Sequence, residues 1–347
     1  MLQSYSLYFS KNLAVTRIAT LDAFRGLAAL SVMIYHYTKV YRKFYGNVFD
    51  DSFDFAYGYM GVFFFFIISG FVIFLTLKHT TFTAGFLYKR FSRLYPIFWF
   101  CLFTTFLVVY LCGLPGRERS AYHLPANLTM IPTVFGKSTI DGAYWSLVPE
   151  FFFYIAMAII FSFKRQGLFF VWGITVLLLN WVHTFLFEFP PFVASITLTD
   201  WGSFFFAGIL FFKLLVKEYQ NRWHIHLLLV LCMATSVNNF EILSAKIICG
   251  GLYVVFYLFI LGRLSWLSWK PLLFLGKISF PLYLLHQNIG YVIMNYTRPY
   301  LSDYPIIFLL LPISVIMLAA WLAHKYIELP SMTWLRSLNH KWVNSRN

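Results

Sequence analysis

The stretch GVFFFFIISGFVIFLTL, residues 61–77, decides the fold, because seventeen consecutive positions carry no charged side chain. A helix rising 1.5 Å per residue needs roughly 20 predominantly apolar residues to cross a hydrocarbon core. With its aromatic flank this stretch reaches that length, and it lacks the period-2 alternation of a barrel strand. In lipid only helices and closed barrels satisfy every backbone N–H and C=O group. A transmembrane helix over 56–77 follows.

Similar runs lie on both sides of it. They predict further spans at 21–38, 94–113, 144–163, 168–187, 198–212, 224–240, 247–262, 272–297 and 304–324, about ten helices in all. Composition agrees: of 347 residues 60% are hydrophobic, 22% aromatic and only 12% charged, where soluble domains carry roughly a quarter charged residues. The expected fold class is all-α, a polytopic transmembrane helix bundle. It forms one integral membrane domain over residues 1–347 with a core at about 21–331, leaving no room for an appended soluble hydrolase-like domain.

Charge sets the expected topology. With a cytoplasmic N-terminus, 18 of the 27 basic residues fall in cytoplasmic segments, among them Lys11, Arg17, Lys78, Arg90, Arg93, Lys217, Arg336 and Arg346. Opposite stand eight, including Lys39, Arg42, Arg117 and Arg298, together with most of the acidic residues, Asp50, Asp51, Asp54 and Asp141 among them. The positive-inside rule then puts both termini in the cytoplasm. The net charge of +14 is that asymmetry, matched to anionic lipid headgroups, and calls for no nucleic acid. The segment up to Thr20 lacks the apolar core and cleavage site of a secretory signal. Cys101, Cys112, Cys232 and Cys249 have no metal-ligand spacing and read as small core residues, so no metal or disulfide is inferred. The longest connection, Leu114 to Ala143, lies on the outer side and is the expected outer contact surface.

Ionisable side chains inside a membrane segment are costly enough to direct the search for function. The first span holds Asp22, Arg25 and His36. Arg25 and His36 are eleven residues apart, close to three full turns, so they share a helix face about 16 Å apart along the axis. Asp22 is placed to pair with Arg25. Snorkelling would account for Arg25 alone, and a packing role for His36 alone, but neither explains the shared face. An imidazole with an ordinary pKa near 6.5 can take and return a proton at neutral pH, as a general base acting on an alcohol must. Arg90 and Arg93 in YKRFSRLYP share one side of a helical turn just inside the cytoplasmic surface, suited to a phosphorylated ligand, although basic residues there are also ordinary topology signals. WSLVPE, residues 145–150, directs Glu150 into an apolar segment at the expected depth of His36, where a carboxylate would orient the imidazole. His286 in ISFPLYLLHQ and Glu328 in YIELP are weaker candidates.

Taken together, LDAFRGLAALSVMIYHY, GVFFFFIISGFVI, RFSR, WSLVPE, ISFPLYLLH and the terminal YIELP resemble the acyltransferase 3 family of membrane acyltransferases, from about residue 21 to 331. The resemblance implies transfer of an acyl group, typically acetyl from cytoplasmic acetyl-CoA, to a hydroxyl of a carbohydrate or glycolipid. On that reading His36 and Glu150 are catalytic, and Arg90 and Arg93, with Arg25 as a third candidate, bind the phosphates of the coenzyme. Trp145 and Ser146 are the candidates to position the acceptor or stabilise the oxyanion. His36 acts either as base for direct attack or as a nucleophile that is itself acetylated. The expected partners are acyl-CoA, a carbohydrate or glycolipid acceptor and membrane lipid, and the expected location is the cell inner membrane. The rival is a proton-coupled transporter or flippase of a lipid-linked sugar, with His36 and Glu150 as its proton relay. It leaves the arginine pair unexplained, and no inverted repeat of broken helices accompanies it. A scaffold that has kept these helices without catalysis would fail to bind coenzyme A.

Overall fold

The computed structural model describes residues 19–49, 54–78, 80, 82–216 and 222–344, and no strand occurs among them. Lys11, Arg17, Asp50, Asp51, Lys217 and Arg346, used in the topology argument, lie outside the described residues. The main helices are α1 (Ala19–Tyr35), α2 (Met60–Lys78), α3 (Thr83–Cys112), α4 (Leu147–Ser162), α5 (Leu168–Phe185), α6 (Pro191–Thr197), α7 (Gly202–Leu215), α8 (Trp223–Asn238), α9 (Leu243–Ile260), α10 (Lys270–Leu301), α11 (Pro305–Ala323) and α12 (Leu329–Asn344).

Every predicted span coincides with a helix, but among the described residues seven helical segments are long and apolar enough to cross a membrane. The spans predicted at 21–38, 224–240 and 272–297 fall short by that measure for physical reasons. Helix α1 is 17 residues long and carries Asp22 and Arg25. Helix α8 has 16 residues. Helix α10 has 32 residues but is interrupted by Lys277, His286, Gln287, Asn288 and Arg298.

The chain forms two compact units. The first comprises Met1–Ala28, Met60–Phe86 and Val148–Gly276. Its centre is the crossing of α2 and α7, where glycine lets two backbones touch. A Cβ on Gly70 would stand 2.0 Å from the Phe205 carbonyl oxygen, and one on Gly208 would stand 2.1 Å from that of Ile67. Only hydrogen fits at either place, the close approach that small residues permit between membrane helices. Aromatic rings close over this seam: Phe66 and Phe205 stack at 4.7 Å, Phe63 and Phe204 at 5.1 Å, and Phe153 and Phe205 at 4.4 Å between centroids. At such spacing each pair adds about 1 kcal/mol beyond its buried area.

The second unit comprises Ala29–Tyr59, Leu87–Leu147 and Lys277–Asn347. The end of α1 continues through a π-helical turn, His36–Val40, into a short helix, Tyr41–Tyr45. Tyrosine hydroxyls pin this stretch to α10. Tyr37 donates to the His286 carbonyl at 2.8 Å, Tyr41 to Asn295 Oδ1 at 2.8 Å, and Tyr291 to the His36 carbonyl at 3.2 Å. Gly290 makes room, since a Cβ there would meet the Tyr37 hydroxyl at 2.1 Å. Lys39 and Arg42, two of the basic residues expected on the outer side, both bond Asp54 Oδ2, at 3.0 and 2.5 Å.

Candidate functional site

The π-turn opens at His36, the position where the sequence places the base. Such turns admit one extra residue per turn and often occur at functional sites. His36 folds its ring back along α1, so that Nδ1 lies 2.9 Å from the Val32 carbonyl oxygen. The same Nδ1 lies 3.0 Å from Nε2 of His286, and the two rings are 4.8 Å apart at their centroids. Nδ1 of His286 in turn stands 2.7 Å from the Tyr283 carbonyl oxygen. His286 is fully buried, whereas His36 is half-buried.

These contacts fix the tautomers of the neutral pair. A carbonyl oxygen can only accept, so each Nδ1 that faces one carries hydrogen. In His286 that leaves Nε2 with a lone pair, which accepts from the Nδ1–H of His36. The remaining nitrogen, His36 Nε2, keeps its lone pair, and it makes no hydrogen bond to the described residues. Such an arrangement can act as a base with an orienting partner, the partner being an imidazole from a helix some 250 residues away.

Ser146 joins this neighbourhood through Tyr283. The Ser146 hydroxyl is 2.8 Å from the Tyr283 hydroxyl, which donates to the Ala143 carbonyl at 2.8 Å. Tyr283 precedes His286 by three residues on α10, one helical turn. Trp145, the residue before Ser146, is 38% exposed. Tyr144 donates to the Leu284 carbonyl at 3.1 Å.

Asp141 anchors the connection before α4. Oδ1 accepts from the Ala143 amide at 2.8 Å, and Oδ2 accepts from the Asn288 amide at 2.9 Å. Asn288 spans back, with Nδ2 donating to the Ile140 carbonyl at 3.0 Å and Oδ1 accepting from Arg117 Nε at 2.8 Å. Burial pushes the Asp141 carboxyl above its ordinary range, opposed by the two amide donors and by the Arg117 guanidinium.

Arg90 is buried and Arg93 half-buried near the start of α3. The hydroxyl of Tyr88 donates to the Leu335 carbonyl at 2.6 Å, which ties α3 to α12 beside Arg336. Arg336 lies within electrostatic reach of Arg93 and Lys89. The arginine pair of the sequence is thus part of a four-cation cluster.

Glu150 and Arg25 belong to the first unit. One carboxylate oxygen of Glu150, Oε1, accepts from Ser69 at 2.9 Å and from the Tyr154 hydroxyl. Arg25 sits half-buried on α1, one turn after Asp22. There α1 and the start of α10 approach closely, because a Cβ on Gly276 would meet the Asp22 carbonyl at 2.1 Å. Of the predicted site residues, His36, Trp145, Ser146, Arg90 and Arg93 share the second unit. His286, named as a weaker candidate, proves to be the ring partner of His36. Arg336 was read only as a topology charge, and its signal was its place in a basic C-terminal segment.

Comparison with known proteins bears on this geometry. A family model described as an acyltransferase domain, that of the acyltransferase 3 family, matches residues 18–324. "Putative acetyltransferase ORF330" of Acidianus two-tailed virus is 26% identical over 288 residues, covering 78% of this chain and 82% of the viral protein. "Protein 2 in picA locus" of Rhizobium radiobacter is 30% identical over 169 residues, covering 44% of this chain and 83% of that protein. No solved structure matches.

Proposed function

Because this chain belongs to the acyltransferase 3 family, we propose that it is a multi-pass membrane O-acyltransferase that moves acetyl from acetyl-CoA to a hydroxyl of an envelope polysaccharide or glycolipid. The observation that carries the reading is the His36–His286 pair, which leaves one imidazole lone pair available within the helix bundle. A relay that only passed protons would need no four-cation cluster, whereas the nucleotide phosphates of coenzyme A do.

In the proposed reaction His36 Nε2 takes the proton of the acceptor hydroxyl while its oxygen attacks the thioester carbonyl carbon. The C–S bond then breaks, acetyl remains on the acceptor oxygen, and the thiolate of coenzyme A receives the proton back from His36. His286 holds the Nδ1–H of His36 and so presents Nε2 to the substrate throughout. Lys89, Arg90, Arg93 and Arg336 bind the phosphates, with Arg25 as a further cation. Ser146 and Trp145 position the acceptor. Glu150 is the second proposed catalytic residue. Ten membrane crossings, both termini in the cytoplasm and a place in the cell inner membrane complete the proposal, supported by the excess of basic residues in the segments assigned to the cytoplasm.

Membrane vesicles bearing the intact chain are expected to transfer labelled acetyl from acetyl-CoA to envelope glycan, and His36→Ala at matched expression to transfer none. Equal labelling by His36→Ala would remove His36 from the reaction. Glu150→Gln, run beside it, keeps an acceptor for Ser69 and Tyr154. A rate equal to that of the intact chain would remove the Glu150 charge.

A further inference from the structure

A cleft of about 270 Å³ opens in the second unit, lined by Phe44, Arg117, Arg119, Thr139, Gly142 and Asn288 among others. Two guanidinium groups face it and no carboxylate lines it. Arg117 is held rather than loose. Its Nε bonds Asn288, and its guanidinium lies 5.0 Å from the Phe44 ring centroid and 5.3 Å from that of Tyr291. Aromatic faces hold a cation by its charge while leaving its N–H edges to bond elsewhere. Among the described residues Arg117 makes no ion pair. Asp141, on the same connection, has both oxygens occupied by backbone amides, and Glu118 accepts from the Leu114 amide at 3.1 Å.

A second observation points the same way. Gln287 is 4% exposed, yet its Oε1 has no hydrogen-bond partner among the described residues. A Cβ on Gly142 would meet Arg117 Nη2 at 2.6 Å and Gln287 Oε1 at 2.7 Å. A strong donor and an unused acceptor therefore converge beside Gly142, one of the residues that line the cleft. A buried acceptor without a partner is costly unless a ligand supplies the donor. Gln287 follows His286 directly, and Tyr291, which carries the Arg117 guanidinium, donates to the His36 carbonyl.

We infer that the acceptor is an anionic saccharide unit, bound with its carboxylate or phosphate on Arg117 and a neighbouring hydroxyl donating to Gln287 Oε1. This rests on the acyl-transfer reading above for the identity of the ligand as acceptor. Arg117 is then the residue that selects charged glycan over neutral glycan, with Arg119 extending the positive field at the mouth.

The test reads the site without requiring turnover. The intact protein in detergent is treated with phenylglyoxal, which modifies guanidinium groups, in the presence of glucose, glucuronate or glucose 6-phosphate. Modification of Arg117 is followed on its peptide by mass spectrometry. Glucuronate or glucose 6-phosphate is expected to slow it severalfold and glucose to leave it unchanged, and whichever anion protects identifies carboxylate or phosphate as the group bound. Protection by glucose to the same degree, or by none of the three, overturns the inference. In vesicles, an acidic oligosaccharide is expected to exceed its carboxyl-reduced form by roughly tenfold in kcat/KM, about one charge-assisted hydrogen bond, and Arg117→Gln to abolish that preference. Equal use of both forms by the intact chain overturns charge selection and leaves acyl transfer standing. Anion protection of Arg117 in a protein that neither binds acetyl-CoA nor transfers acetyl upholds the anion site and overturns the acyl-transfer reading instead.

Discussion

His36 Nδ1 stands 3.0 Å from His286 Nε2, and the carbonyls of Val32 and Tyr283 on either side give every proton of that contact one place. The pair resembles the orienting logic of a carboxylate and histidine, with a neutral acceptor in place of the charge. A neutral acceptor stabilises the imidazolium less, but it costs far less to bury in an apolar bundle.

His286→Leu removes the acceptor and leaves Nδ1–H of His36 with the Val32 carbonyl alone. Transfer is expected to fall roughly 10–100-fold, as it does when the hydrogen-bond partner of a metal-bound histidine is removed. The loss should appear in kcat, with KM for acetyl-CoA and for the acceptor unchanged. His286→Gln, whose Oε1 can take the same hydrogen, should restore part of the rate. A fall in KM-dependent terms only, or no recovery with Gln, would make His286 a packing residue.

Asp141 gives a pH dependence whose sign follows from its burial. Its carboxyl titrates above the ordinary value of about 3.9 because the charged form is desolvated, with the amides of Ala143 and Asn288 and the Arg117 guanidinium opposing. A folded pKa raised above the unfolded one gives stability that is full below the unfolded value and lost as pH rises through the folded one. Asp141→Asn does not titrate, so it should be most destabilising below the ordinary carboxyl value of about 3.9 and progressively less so as pH rises above it. Thermal unfolding of both proteins in detergent across that range checks the slope, and a gap that widens toward alkaline pH would reverse the assignment.

Gly70→Ala and Gly208→Ala place a methyl group 2.0 and 2.1 Å from a backbone oxygen. Backbone cannot swing aside as a side chain can, so α2 and α7 must separate and lose the packing of Phe66 on Phe205. Overpacking of this kind costs about 1–3 kcal/mol or more. Gly250 and Gly251 on α9 have nothing within 4 Å of an added Cβ, so Gly250→Ala should be neutral or slightly stabilising through helix propensity. Melting temperatures of the three variants in one detergent decide it, and equal shifts would mean that the α2–α7 contact is looser than described.

Much of this was legible in the sequence, and the boundary is physical. Apolar runs announce helices because lipid allows little else, and each predicted span falls on one. Their number as crossings was less legible, since α1 and α10 carry polar groups within their apolar runs, such as Asp22, Arg25 and His286 to Asn288. His36 stood out because a titratable ring is costly in a membrane segment. Its partner did not, because nothing in ISFPLYLLHQ says that the ring will meet a residue 250 positions earlier. The π-turn at His36 carries no glycine or proline to mark it. Glu150 was expected beside His36 on depth alone. Its bond from Tyr154 lay at the i, i+4 spacing and was readable, whereas its bond from Ser69 depends on helix packing.

Arg336 carries the last prediction. Helix α12 is held to α3 where the Tyr88 hydroxyl meets the Leu335 carbonyl at 2.6 Å, and this places Arg336 in the field of Arg93 and Lys89. Lys89 feels the repulsion of Arg90 and Arg336, and Arg336 that of Arg93, so a polyanion that enters relieves that repulsion as well as making its own contacts. Arg336→Ala is therefore expected to weaken coenzyme A binding by roughly tenfold, about one charge-assisted hydrogen bond, and Arg90→Ala with Arg93→Ala to weaken it further. Because partly exposed charges are screened, the affinity of the intact protein should fall as salt rises, and Arg336→Ala should show a shallower dependence. Titration of coenzyme A into the purified protein at low and high salt measures both effects. Dephospho-coenzyme A, which lacks the 3′-phosphate, separates the cations by role: if Arg336 holds that phosphate, the substitution changes the affinity for coenzyme A and leaves that for the dephospho form as it was.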